Sequence, residues 1–117
     1  MRKVILCLFI ATTGMAEIPT HTDYEYVAAG QTDQVCGRTG GVRDVLERVI
    51  IIPASVSPGA VLIEDGSETA RTIFAGGTNS LTELKPIVVD IGARSRSGGW
   101  EITTGANVAA ICVGRFK

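Results

Sequence analysis

From residue 24 to the C-terminus the sequence falls into short apolar or alternating runs, broken about every 8–12 residues by glycine or proline. That punctuation leaves no room for long helices, and no stretch after residue 17 has a convincing amphipathic helical period. Residues 24–29 (YEYVAA) alternate ring, polar, ring, as a half-buried strand does. Residues 45–53 (VLERVIIIP) place four β-branched side chains in a row before Pro53, which fits a buried strand better than the end of a helix. Residues 60–63 and 69–75 flank an Asp65-Gly66 pair, the signal of a hairpin. Residues 84–91 (LKPIVVDI) read as a strand whose Pro86 suggests an edge or a bulge near its start. Residues 92–99 read as a long loop, 100–104 (WEITT) as an alternating strand, 105–107 as a turn and 108–116 (VAAICVGRF) as the last strand.

The expectation is an all-β chain: a single β-sandwich, jelly-roll-like or immunoglobulin-like, of about seven short strands with an extended N-terminal segment. There is no internal repeat, which argues against a propeller or a solenoid. At 117 residues the chain holds one core. It divides into a leader-like stretch (1–16), an extended polar lead-in containing Pro19 (17–23) and the β domain (24–117).

The first stretch has three readings. Arg2 and Lys3 precede an apolar run at 4–11, and Gly14 and Ala16 supply small residues before Glu17, the pattern of an export signal. The run is too short for a transmembrane helix, which needs about 20 apolar residues. Met15-Ala16-Glu17 would also make an ordinary translation start, so the stretch reads equally as an upstream extension; the third reading is an arm packed on a neighbouring subunit.

Charge limits the partners. The formal net charge is −1, and loss of Arg2 and Lys3 with the first sixteen residues leaves nine basic against twelve acidic residues. A nucleic-acid binder needs a basic face to displace counterions, so nucleic acid is not an expected partner. The local basic cluster Arg94-Ser95-Arg96 lies in a Gly/Ser-rich segment, where a solvated loop is the simpler reading than a phosphate or glycan contact.

No constellation of catalytic residues is visible. His21 is the one histidine and sits in the lead-in, whereas a nucleophilic triad needs an imidazole held by a third group. Residues 64–68 (EDGSE) carry three carboxylates but lack the ligand spacing of a calcium loop, so a solvated hairpin tip is expected. No cofactor or metal is expected. Cys36 and Cys112 are distant and lie at or near strands; we expect free, small apolar residues, with a disulfide as the alternative if the protein is exported. Trp100 follows Gly98-Gly99 and is expected in the core rather than in an interface.

Six segments in order, 24–34 (YEYVAAGQTDQ), 53–61 (PASVSPGAV), 63–66 (IEDG), 74–77 (FAGG), 94–100 (RSRSGGW) and 103–108 (TTGANV) with 113–116 (VGRF), resemble a family of small proteins encoded by tailed bacteriophages and prophages. The resemblance spans about residues 24–116. It implies a non-enzymatic virion structural protein, most plausibly a capsid decoration (cement) protein on the virion surface. Its implied partners are the major capsid protein and further copies of itself, as a dimer or trimer. The family pattern starts near residue 24, so the first sixteen residues have no counterpart in it. Two other readings stand beside this one. A tail- or fibre-associated adhesin would use the loops at 76–80 and 92–99, with Arg94, Arg96 and Trp100 in contact. A secreted bacterial binding module would use the leader. Tyr24 and Tyr26 complete the expected interface residues.

Overall fold

The computed structural model describes residues 22–116. The leader-like stretch 1–16, most of the lead-in, Cys7 and His21 lie outside the described residues. Eight strands form: β1 (Asp23–Val27), β2 (Gln34–Cys36), β3 (Val45–Pro53), β4 (Val61–Asp65), β5 (Arg71–Phe74), β6 (Ile87–Arg94), β7 (Trp100–Thr104) and β8 (Val108–Arg115). They make two four-stranded sheets, β1-β8-β3-β6 and β2-β7-β4-β5, and every pairing is antiparallel.

The pairing has a simple order. β1 pairs with β8, β2 with β7, β3 with β6 and β4 with β5. A long antiparallel ribbon whose tip is the β4–β5 hairpin has therefore rolled up into two facing sheets. This is jelly-roll topology, one of the two sandwich types the sequence allowed.

Alternation along the strands fills the space between the sheets. Val27, Leu46, Val49, Ile51, Val61, Ile63, Ile102, Val108 and Ala110 are all buried there. Full burial of one such aliphatic side chain contributes roughly 1.5–3 kcal/mol, so removing any of them would cost a sizeable share of the stability of a domain this size.

Three expectations change. The strand count is eight because residues 34–36 pair with β7, with Cys36 opposite Trp100. Residues 92–94 belong to β6 and not to a loop. Between the pairs Leu46–Ala93 and Arg48–Asp90, β6 sets Ile91 and Gly92 against the single residue Glu47, a bulge in which Gly92 takes φ +64°. Such a backbone angle costs glycine least, so the break in the pattern at Gly92 marks a bulge instead of the start of a loop. Pro86 immediately precedes β6, and β6 is an edge strand, as proline placement requires.

The third change concerns the cysteines. Cys36 in β2 and Cys112 in β8 both point into the space between the sheets and are joined by a disulfide, with a Cα–Cα distance of 6.1 Å. They are not free thiols. Rolling the ribbon brings an inward position near one end opposite an inward position near the other, which sequence distance conceals.

Candidate functional site

Strand register places the expected interface residues in two groups at opposite edges of the sandwich. The first is the outer face of the β1-β8-β3-β6 sheet. Val27, Ala110 and Ile51 lie in one cross-strand row and point inward, so the adjacent row points outward. That outward row is Tyr26, Ile111, Ile50 and Val88, one residue from each of the four strands in direct register. Tyr26 is 58% exposed and Val88 57%, while Ile50 and Ile111 between them are half-buried. The next row contains Tyr24 (71% exposed), Val113, Arg48 and Asp90.

Within this apolar band exposure is greatest at Tyr24, Tyr26 and Val88, while Val113 is buried at 8%. The band ends at β1, an edge strand with no neighbouring strand on its outer side, where the Tyr26 carbonyl accepts from the Gln34 side-chain amide at 3.3 Å. On the central strands β8 and β3, Arg115 and Arg48 pair with Glu47 at 3.4 and 3.8 Å, a partly exposed network worth little to stability. A strip of aromatic and aliphatic side chains with a charged margin has the composition of an interface core and rim.

The second group sits where the β4–β5 hairpin meets the 95–99 segment. Asp65 ends β4 and accepts hydrogen bonds from the Ser95 hydroxyl at 2.6 Å, the Arg96 N–H at 2.7 Å and the Ser97 N–H at 3.2 Å. Partial burial pushes the Asp65 carboxyl up, but these donors, together with the Gly99 N–H, outweigh it and hold the pKa below the usual aspartate value. The Gly66 N–H donates to the Gly99 carbonyl at 2.8 Å. Gly66 has φ +59°, and a Cβ there would stand 2.7 Å from the Ser97 backbone, so the hairpin tip needs glycine twice over.

Trp100 belongs to the core, as expected: it is 8% exposed and its indole N–H donates to the Asp44 carbonyl at 3.2 Å. Asp44 is itself buried, and its carboxylate pairs with Arg38 at 3.1 Å. Arg94 and Arg96 are exposed above Trp100, and all three line one groove. The 76–80 loop is held to the 55–59 turn, through Gly77 N–H to the Pro58 carbonyl at 2.7 Å and Asn79 N–H to Ser57 Oγ at 2.9 Å.

One cluster has no counterpart in the sequence reading. Asp33, Glu64 and Glu101 bring carboxylate oxygens within 4.8 Å of one another on the outer face of the second sheet. Glu64 and Glu101 are cross-strand partners, and Asp33 precedes β2 beside them. Partial burial, a hydrogen bond shared with Asp33 and the charges of Asp33 and Glu101 raise the Glu64 pKa. The carboxylates of the 64–68 hairpin are thus split: Asp65 turns toward the 95–99 segment and Glu64 joins a different group. Of the described residues, these three are the ones whose donor atoms are grouped closely enough to hold a cation. No helix among the described residues is long and apolar enough to cross a membrane.

Comparison of the chain with protein-family models, with curated proteins and with solved structures gives no match.

Proposed function

We propose that this protein is a non-enzymatic structural subunit of a bacteriophage particle, a decoration protein that seats its β1-β8-β3-β6 face on the capsid shell. The observation that carries the reading is the in-register apolar row Tyr26–Ile111–Ile50–Val88, continuous with the open edge of β1. A protein that cements a shell needs an adhesive face on a stiff scaffold, and aromatic and aliphatic side chains projecting from paired strands supply one at low entropic cost. The order of the phage-like segments along residues 24–116 supports the same reading. The fold alone does not, because jelly rolls carry many functions.

The partners in this reading are the major capsid protein and further copies of the chain, as a dimer paired along β1 or as a trimer. Modest individual contacts repeated over a shell add up by avidity. A buried disulfide is compatible with life on a virion, which persists outside the reducing cytosol. The test is assembly of particles with and without the protein, followed by heat or osmotic challenge. Decorated shells should survive conditions that open undecorated ones; equal survival, or failure of the protein to co-sediment with shells, overturns the reading.

A second reading is favoured by the disulfide taken with the basic-apolar-small pattern of residues 1–16: a secreted binding module. Intact mass of the natural protein separates the two. A chain beginning at Glu17 after export supports secretion, and a chain beginning at Met15 or Ala16 in particles supports the virion role.

A further inference from the structure

The groove of about 250 Å³ beside Trp100 has a composition that the capsid reading does not use. Three arginines line it from separate places: Arg71 from the start of β5, Arg94 from the end of β6 and Arg96 from the 95–99 segment. None of them makes an ion pair among the described residues, although Glu68 lines the same groove. Asp65, the carboxylate nearest the loop, is already occupied by Ser95, Arg96 and Ser97 donors. Those bonds fix the 95–97 backbone, so the groove wall is set before any ligand arrives. Ile63 and Trp100, each 8% exposed, contribute its apolar lining.

We propose that this groove binds an acidic sugar, a hexuronate-type ring carrying one carboxylate. Arg71, Arg94 and Arg96 supply the fork-shaped donors that a carboxylate accepts in pairs. Glu68 supplies an acceptor for a ring hydroxyl, which a saccharide has and an acidic peptide side chain lacks. An Asp or Glu side chain would meet the guanidinium groups but has no hydroxyl to donate to the Glu68 carboxylate. The volume suits a single ring against a small apolar lining. This assignment is independent of the capsid reading, since the groove lies at the β5 and β6 edges, away from the β1 edge.

Trp100 is the chain's single tryptophan and lines the groove, so its fluorescence reports occupancy directly. The full chain, disulfide intact, is titrated with tri-galacturonate, with neutral galactotriose and with a tri-glutamate peptide. A saturable fluorescence change with tri-galacturonate alone is expected. Arg96→Gln should weaken it about tenfold or more, the loss of one charge-assisted pair. Glu68→Gln should weaken it less, and at added salt the affinity should fall. Both positions are exposed, so near-ultraviolet circular dichroism of each variant should match the parent. No saturable change at millimolar tri-galacturonate overturns the proposal. An equal response to tri-glutamate, or a response that survives Arg71→Gln/Arg96→Gln, overturns the sugar assignment.

Discussion

Cys36 and Cys112, 76 residues apart in the chain, are bonded through the middle of the sandwich and tie the sheet containing β2 to the sheet containing β8. The bond closes nearly the whole ribbon into a loop. In the chain-entropy account a loop of this length stabilises the native state by about 4 kcal/mol relative to the open chain. Cys36→Ala/Cys112→Ala should therefore lower the unfolding free energy by roughly 2–4 kcal/mol in guanidinium titrations. Because both sulfurs are buried, the bond should resist millimolar reductant under native conditions and yield only when the domain opens. Rapid native-state reduction would contradict the burial.

Asp65 is the second fixed point. Its pKa is held below that of an ordinary aspartate, so it contributes stability that is present above pH 3.8, its unfolded value, and is lost as pH falls through the folded value. Asp65→Ala removes an acceptor serving Ser95, Arg96 and Ser97, and about 2 kcal/mol should go with it. The loss should be largest at neutral pH and shrink under strong acid. Hydrogen exchange at Arg96 and Ser97 should speed up well before the core strands are affected.

Some of this was legible in the residues and some was not, for physical reasons. β3 keeps the bounds read from its β-branched run because a central strand buries one face fully and the pattern shows it. β2 was invisible: three residues between a polar break at 30–33 and the glycine-rich 37–41 segment carry no alternation, and only pairing with β7 makes them a strand. Gly92 read as the start of a long loop because a bulge and a loop can ask the same thing of the backbone. Tyr24 and Tyr26 were readable as one face of a strand, but which face met the core depended on β8. Arg94, Arg96 and Trp100 were a visible cluster; Arg71 and Glu68 joined them only through the β4–β5 hairpin. The disulfide and the Asp33–Glu64–Glu101 cluster are products of topology alone.

That acidic cluster sets the opposite pH dependence to Asp65. The Glu64 pKa is raised above 4.5, so between 4.5 and the raised value the folded chain binds more protons than the unfolded one. Stability from this group therefore falls as pH rises through that window. Glu64→Gln removes one charge of the three and should raise the midpoint of thermal unfolding at pH 7, with the gain vanishing below about pH 4. Glu101→Gln should act in the same direction through the same neighbours. A Glu64→Gln variant that melts at the parent temperature at every pH would show that the three carboxylates do not interact in solution.

Tyr26 and Val88 occupy the two ends of one cross-strand row, with Ile111 and Ile50 between them. Both are largely solvent-exposed, so replacing them with lysine should change folding stability by no more than about 0.5 kcal/mol. If the row is the seat of the shell contact, the same changes bury two unpaired charges within that contact. Tyr26→Lys/Val88→Lys should then lower shell occupancy by about 30-fold or more, as loss of an interface anchor does. Arg96→Gln, at the far edge, should leave occupancy unchanged. Co-sedimentation of each variant with undecorated shells reads both outcomes in one experiment. A double-lysine variant that decorates as the parent does would move the contact off this face and onto the β1 edge backbone, where side-chain replacement matters little.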